Sequence, residues 1–211
     1  EGWKATSEGR RRLRKVALDF PHEDLLGDRS LYMAVVPGGD EQLVVRSDDT
    51  VRILARDMSS CGTSFELPRS DDPSLSGQIA ASEELIYATH CIEHITSFTH
   101  DGTEVATYRD EDKCISSFTL APGGLLFCML YDDDDNTQDE IIALDAQTLQ
   151  PRYWFGQSLV KEGREMEVVG EELFICDSGN DCLHVFSLAG EHRRSITGEW
   201  KRPTGICFVK D

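Results

Sequence analysis

Apolar and polar residues alternate along this chain in short blocks, and the same kind of block returns four times. The clearest one spans 173–186, where the apolar run Leu-Phe-Ile-Cys is followed by a polar turn and a second apolar run. It ends at Phe186, and blocks of the same shape end at Leu54, Phe98 and Leu144. Short apolar runs bounded by turn residues predict pairs of β-strands joined by tight turns.

The four blocks are 44, 46 and 42 residues apart, measured between those last apolar residues. A period of this size, built from short strands, is typical of the blades of a β-propeller. We therefore predict an all-β fold, a partial β-propeller with four four-stranded blades plus the first strand of a fifth. The predicted segments are an N-terminal extension (1–26), four blades (27–70, 71–110, 111–160, 161–200) and the start of the fifth (201–211). Because an end blade needs a neighbour, we expect the chain to be part of a larger ring.

Turn residues divide each predicted blade into four strands. In the fourth blade, for example, strands are predicted at 167–169, 172–176, 183–187 and 192–197. In the second blade the pair Asp101-Gly102 predicts a tight hairpin, because these residues adopt the positive φ angles that such a turn requires.

Charge is distributed unevenly along the chain. The formal net charge is −18, but the first 16 residues carry +4 because of the basic segment 10–15, so the remainder carries −22. An acidic surface repels phosphate, so we expect no nucleic-acid binding through the blades and favour basic protein or peptide partners. We interpret the basic segment as a solvated linker, with a localisation signal or an acid-binding arm as alternatives. No apolar run approaches the roughly 18–20 residues of a membrane span, so no membrane association is predicted.

The seven cysteines show no Cys-x-x-Cys spacing, and most of them lie inside apolar strand patterns. This pattern is typical of reduced, buried thiols in an intracellular protein, so we predict no disulfide. It also predicts a cytoplasmic location, with the nucleus as the alternative. No metal ion and no cofactor are predicted. The cysteines are Cys61, Cys91, Cys114, Cys128, Cys176, Cys182 and Cys207.

Residues 165–211 resemble an NHL repeat. The segment Phe174-Ile175-Cys176-Asp177-Ser178-Gly179-Asn180-Asp181-Cys182-Leu183-His184-Val185-Phe186 is similar to the family's Tyr-Val-Ala-Asp-x-x-Asn-His-Arg-Ile-x-Val-Phe pattern, and Pro203-Thr204-Gly205-Ile206 is similar to its Pro-x-Gly-Ile strand. The family's His-Arg pair is replaced here by Asp181-Cys182. The resemblance implies a propeller fold and, as in many NHL-like propellers, a non-enzymatic protein-interaction scaffold.

A second class of function stays open. The resemblance extends to six-bladed propellers that act as metal-dependent lactonase-like hydrolases or amidating lyases, with His, Asp, Glu and Asn around the central channel. A third class, sequence-specific RNA binding, is implied for some NHL domains, but their binding faces are basic. The chain has no Gly-x-Ser-x-Gly motif, P-loop or Gly-x-Gly-x-x-Gly motif, so it lacks the usual signals of a nucleophile or nucleotide cradle.

Three polar groups are candidates for chemistry, and each also has a structural interpretation. Asp177 stands before a Ser-Gly-Asn turn, where a carboxylate typically accepts hydrogen bonds from the following N–H groups. His90 and His94 flank a strand turn, where their spacing predicts no metal site, and possible further ligands such as His184 and Cys91 have no defined geometry. The acidic segment 132–140 lacks the Gly and Glu positions of an EF-hand loop and is interpreted as a solvated loop.

A working face follows from propeller geometry. The turns joining the second and third strands of each blade should share one face with the linkers that connect blades. Those turns and linkers are rich in carboxylates, so we predict that the face binds a basic peptide or protein. The predicted partner-binding residues are Arg46, Asp48, Asp49, His90, Glu93, Tyr131, Asp132, Asp133, Asp134, Asp177 and Asn180.

Overall fold

Four antiparallel sheets, each of four strands in sequence order, make up the described molecule. The structure is a computed structural model that describes residues 31–37, 42–55, 61–68, 77–91, 93–132 and 139–208, with no side-chain placement for Leu31, Cys61, His90 and Cys91. The strands of the first two sheets are β1 Leu31–Val35, β2 Leu43–Ser47, β3 Thr50–Leu54, β4 Cys61–Glu66, β5 Ile79–Ala81, β6 Leu85–Cys91, β7 His94–Thr99 and β8 Glu104–Arg109. The strands of the other two are β9 Cys114–Ala121, β10 Leu125–Tyr131, β11 Glu140–Asp145, β12 Pro151–Phe155, β13 Gly163–Val169, β14 Glu172–Asp177, β15 Cys182–Ser187 and β16 His192–Thr197.

The sheets follow one another as blades around a channel. The first strands of the sheets, β1, β5, β9 and β13, all line one cavity of about 540 Å³. This arrangement confirms the predicted all-β partial propeller with four four-stranded blades. Within the described residues, the structure has no helix of the length and apolarity required to cross a membrane.

Alternate residues of each central strand belong to different cores. In β10, Leu126, Cys128 and Leu130 pack towards the second blade, whereas Phe127 and Met129 pack towards the fourth. Because both faces of a blade are covered, β10 reads as a continuous apolar run instead of an alternating one. Three cores result, one at each junction between consecutive blades.

A hairpin is present at Asp101-Gly102, but residues 100–103 separate its strands and only Gly102 of the pair has a positive φ, so it is not the tight two-residue turn that the sequence predicted. Gly102 has φ +89°, which is in the left-handed region, and a Cβ atom on it would lie 2.5 Å from the Phe65 side chain. The hairpin of the second blade therefore rests directly on the last strand of the first blade. Any side chain at this position would conflict with both the backbone and the packing.

The strand predicted to open a fifth blade is not formed within the described residues 201–208. A first strand of a blade bonds to the second strand of the same blade, and no such strand is described here. The segment instead folds against the fourth blade. The N–H of Ile206 donates to Glu165 (2.9 Å), and the ring of Phe208 packs against Phe174 with centroids 4.8 Å apart.

The remaining sequence predictions about the fold concern the segment limits and the thiols. Strand β13 begins at Gly163 and not at the predicted position 167. The extension at 1–26 lies outside the described residues, and the blade limits stay predictions. Among the described residues, Cys114, Cys128, Cys176, Cys182 and Cys207 form no disulfide.

We expect truncation of a core residue between two blades to destabilise the protein strongly. Ile142 is fully buried between the second and third blades, so Ile142→Ala should lower the free energy of unfolding by about 2–5 kcal/mol. The matched control is Val105→Ala, because Val105 is 47% exposed on β8. Chemical denaturation measures both variants, and equal losses would contradict the assignment of Ile142 to a core.

Candidate functional site

One face of the propeller is formed by the turns that join second and third strands together with the linkers between blades. The N–H of Leu67 donates to the carbonyl of Asp49 (2.6 Å), and the N–H of Asp110 donates to that of Glu93 (3.3 Å). These bonds join a linker to a turn in the first and second blades, as propeller geometry predicts. We call this surface the turn face; its described residues are 48–49, 93, 110–113, 131–132, 156–162 and 178–181.

Six of the predicted partner-binding residues lie at the turn face with solvent exposure. Asp48 and Asn180 are exposed, and Asp49, Glu93, Tyr131 and Asp132 are half-buried. Glu93 accepts a hydrogen bond from Arg109 at 2.6 Å. The side chain of His90, and Asp133 and Asp134, lie outside the described residues, so their part in the site stays a prediction.

Arg46 was predicted to contact a partner, but the structure corrects this because its side chain is only 5% exposed. The guanidinium reaches from the first blade into the second, where it donates to the carbonyls of Gln78 (3.4 Å) and Thr89. It also donates to the carbonyl of Asp48 (2.8 Å). Burial lowers the pKa of Arg46 from its ordinary value. Arg46 therefore joins two blades and does not face a partner.

Asp177 is corrected in the same way, since it is completely buried. Its Oδ1 accepts hydrogen bonds from the N–H groups of Gly179 and Asn180 (both 3.1 Å), which confirms its predicted role in the turn. In the linker before the fourth blade, the N–H of Lys161 donates to Oδ2 (3.2 Å) and the N–H of Glu162 donates to Oδ1 (3.3 Å). The carboxylate therefore holds the turn and the linker together.

The pKa of Asp177 shows how strongly its ionised form is held. Burial opposes ionisation, but hydrogen bonds from His184, Asn180 and the linker outweigh burial and lower the pKa to about 2. The amide of Asn180 donates to Asp177 Oδ2 (2.7 Å) and to the carbonyl of Leu159 (3.0 Å). The polar side of Asn180 is thus already engaged within the chain.

Asp139 is a second buried carboxylate, at the junction of the third and fourth blades. It accepts a hydrogen bond from the N–H of Gly163, the first residue of β13. Burial raises the pKa of Asp139 to about 6, and the Gly163 bond opposes this shift only in part. The negative charge of Asp177 adds to the increase. Sequence reasoning missed this residue, because a loop aspartate before a strand is usually exposed.

A third polar group surrounds His184, which is buried on β15. Its Nε2 lies 3.1 Å from Asp177 Oδ2 and 3.6 Å from Cys182 Sγ. Its Nδ1 lies 3.0 Å from Ser195 Oγ and 3.2 Å from His192 Nε2. The sequence did contain a signal for this cluster. Cys182 and His184 are two apart on one strand, and Asp177 pairs directly with Cys182 across the hairpin.

The described lining of the central channel does not combine imidazole and carboxylate groups as the His184 cluster does. This described lining contains the glutamates Glu165 and Glu167 of β13 and no histidine. Burial raises the pKa of Glu167, and the charge of Glu165 adds to the increase. The metal-dependent enzymes implied by the sequence resemblance would bring imidazole and carboxylate groups together around this channel. That convergence is not found among the described lining residues.

Comparison with known proteins supports the fold of this chain but not a function. No protein-family model and no curated protein matches the chain. Among solved structures it is similar to BamB from Moraxella catarrhalis, with a TM-score of 0.55 and 15% identity over 80% of this chain. It is also similar to Hsv2 from Kluyvelomyces marxianus, with a TM-score of 0.53 and 11% identity over 76% of this chain. The chain spans half the length of each. The fold defines the class, a β-propeller; at these identities the likeness carries no function.

We expect Asp177→Ala to cost about 3 kcal/mol of folding free energy, because several buried N–H groups lose their acceptor together. The matched control is Asp181→Asn in the same turn. Asparagine tolerates the positive φ of this position (54°) and can still accept the bond from the N–H of Arg202 (2.7 Å), so this change should cost less than about 1 kcal/mol. Urea denaturation compares the two, and similar losses would show that Asp177 is not the organising group. Since its pKa is about 2, its contribution should be present above about pH 4 and lost as the pH falls towards 2.

Asp139 should give the opposite pH dependence. A carboxyl whose folded pKa is raised to about 6 holds its proton more tightly in the folded chain than in the unfolded one, where aspartates ionise near about 3.9. Its contribution to stability is therefore present below about pH 4 and is lost as the pH rises through 6. Asp139→Asn, which keeps an acceptor for Gly163, should be more stable than wild type at pH 7 and equal to it near pH 4.

Thermal denaturation at a series of pH values tests this expectation. Asp139→Ala is the comparison, because it removes the charge and also the acceptor for Gly163. A stability difference between Asp139→Asn and wild type that does not change with pH would contradict the assignment.

Proposed function

We propose that this propeller is a non-enzymatic interaction scaffold whose turn face binds a Lys/Arg-rich peptide or protein. The observation that carries the proposal is the concentration of carboxylates on that face. Asp48, Glu111 and Asp112 are exposed there, and Asp49 and Asp132 are half-buried beside them. Propeller scaffolds host many unrelated functions, so the argument rests on this surface and not on the fold.

The negative charge of the chain extends the attraction of a basic partner beyond direct contact with this face. Outside the first 16 residues the net charge is −22, so long-range attraction favours a basic partner. Such attraction mainly accelerates encounter and selects among partners, and it adds less to the strength of the final complex. A partner with clustered Lys or Arg residues is the chemistry that this surface recognises best.

The linker between the second and third blades presents its acidic groups in a defined shape. Asp110 Oδ1 accepts hydrogen bonds from the N–H groups of Asp112 (3.1 Å) and Lys113 (3.0 Å), and Tyr108 donates to Asp110 Oδ2 (2.8 Å). Asp110 is thereby used in holding the linker. The exposed carboxylates of Glu111 and Asp112 stay available for a partner.

Directional contacts come from half-buried polar groups near this linker. Glu93 and Arg109 form an exposed ion pair at 2.6 Å, which is the kind of pair that contributes little to stability. An arginine of the partner can replace Arg109 on the Glu93 carboxylate. We propose Tyr131 and the amide oxygen of Asn180 as further contacts, together with His90, Asp133 and Asp134, since the NH2 group of Asn180 is already used within the chain.

Neutralising the exposed acids of the turn face should slow partner association. We expect the triple variant Asp48→Asn, Glu111→Gln and Asp112→Asn to lower the association rate of a labelled Lys/Arg peptide by about tenfold. It should also flatten the dependence of that rate on salt, because fewer charges are left to be screened. Stopped-flow fluorescence at several salt concentrations measures both effects.

The control must separate a binding face from net charge alone. The opposite face also carries exposed acids, so Glu83→Gln, Glu171→Gln and Glu191→Gln removes three charges at turns remote from the site. This variant should change the association rate by less than about twofold, since its charges lie away from the docking surface. Equal effects of the two triple variants would mean that charge acts only through its total, and the proposed face would be abandoned.

A further inference from the structure

Three side chains of different chemistry converge in the fourth blade. Asp177, Cys182 and His184 place a carboxylate oxygen, a thiol sulfur and an imidazole nitrogen within 4.8 Å of one another. All three residues are more than nine-tenths buried. Such a set is unusual for a core position, where cysteine and histidine commonly stand apart and pack as apolar or singly bonded groups. From this convergence we propose that the three residues form a Zn²⁺-binding site.

The distances suit a tetrahedral ion. With Zn–S of about 2.3 Å and Zn–N or Zn–O of about 2.0–2.1 Å, tetrahedral geometry separates N from S by about 3.6 Å and N from O by about 3.3 Å. His184 Nε2 lies 3.6 Å from Cys182 Sγ and 3.1 Å from Asp177 Oδ2. The sulfur and the oxygen lie within 4.8 Å of each other, and tetrahedral geometry places them about 3.6 Å apart. A small side-chain movement therefore completes the site.

The donor set selects the metal. Ca²⁺ and Mg²⁺ take oxygen ligands almost exclusively, whereas a thiolate and an imidazole together favour Zn²⁺ among the common biological ions. Three protein ligands leave a fourth position for water. The ligands come from the end of β14 and the start of β15, so the ion fastens the two sides of one hairpin.

The surrounding groups hold the ligands in position. Asp177 Oδ1 is fixed by the N–H groups of Glu162, Gly179 and Asn180. Oδ2 faces His184 Nε2 and is itself held by the N–H of Lys161 (3.2 Å) and the side-chain amide of Asn180 (2.7 Å). Ligand histidines in zinc sites typically engage a polar partner through their second nitrogen. Here Nδ1 of His184 has two such partners, Ser195 Oγ and His192 Nε2.

Proton positions change in a balanced way when the ion binds. Without metal, His184 Nε2–H donates to the Asp177 carboxylate, which can only accept. On binding, Nε2 gives its lone pair to Zn²⁺, and the ring proton resides on Nδ1, where Ser195 Oγ or His192 Nε2 accepts it. The thiol of Cys182 loses its proton to solvent and binds as thiolate.

The test uses the full 211-residue chain, reduced and stripped of metal, titrated with Co²⁺ and then Zn²⁺. We expect stoichiometric binding, a near-ultraviolet thiolate-to-cobalt absorption band, and loss of the band when Zn²⁺ replaces Co²⁺. Cys182→Ser and His184→Asn should each weaken Zn²⁺ binding by more than about 100-fold, which is beyond the typical loss of an outer partner. Ser195→Ala should weaken it by about tenfold.

Two controls separate this site from other thiols. Cys176→Ser changes the buried neighbour of Asp177, and Cys91→Ser changes the cysteine that stands between His90 and His94 in the sequence. Both variants should keep the absorption band. X-ray absorption of the wild-type zinc complex should show one sulfur at about 2.3 Å with nitrogen or oxygen ligands, and this arm holds even where a variant fails to fold.

Absence of the thiolate band in the wild type overturns the proposal. Loss of the band in Cys91→Ser but not in Cys182→Ser also overturns it, because the ion would then bind elsewhere. A zinc complex with no sulfur ligand, or with more than one, contradicts the proposed ligand set and overturns it as well. None of these results bears on the association test of the turn face, because the carboxylates changed there, Asp48, Glu111 and Asp112, lie outside the fourth blade.

Discussion

The structure depends on one constraint: each central sheet is apolar on both faces and must be covered on both sides. Leu126, Cys128 and Leu130 of β10 are fully buried against one neighbour, and Phe127 and Met129 against the other. A single sheet with this composition would leave a large apolar face in water, which soluble domains avoid. Repetition of similar blades around a channel satisfies the constraint, because each sheet covers the next one.

Polar side chains complete the junctions where backbone groups would otherwise be buried without partners. Arg46 donates hydrogen bonds to carbonyls of the next blade, and Asp139 accepts one from the N–H of Gly163. Asp177 accepts hydrogen bonds from the linker that precedes its own blade. Each acts at a place where a linker or turn leaves the regular sheet. Because a buried unpaired backbone group costs about 1–3 kcal/mol, these few residues keep the blades in register at the turn face.

The strand pattern and the role of Asp177 in its turn could be predicted well from sequence, and the burial of the polar residues could not. Turn residues bound every strand, so runs such as 173–176 and 183–187 fall inside β14 and β15. Arg46 and Asp177 misled the prediction because they stand beside turns, where charged groups are usually solvated. They are buried because the adjacent blade or linker supplies their hydrogen-bond partners, and these tertiary contacts cannot be read from the local sequence. The spacing of Cys182 and His184 places them on one strand face, but only the strand register places Asp177 opposite Cys182.

The division of the interior into three separate cores has a consequence for how the molecule transmits disturbance. In the sheet of the second blade, Ile86 and Phe98 pack against the first blade, while Tyr87 and Ile95 pack against the third. One sheet therefore contributes to two separate cores. A packing defect in one core therefore affects the stability of the adjacent junction most and that of more distant junctions less, because each blade contacts only its neighbours. A substitution in the core between the first and second blades should therefore leave the packing between the third and fourth blades unchanged.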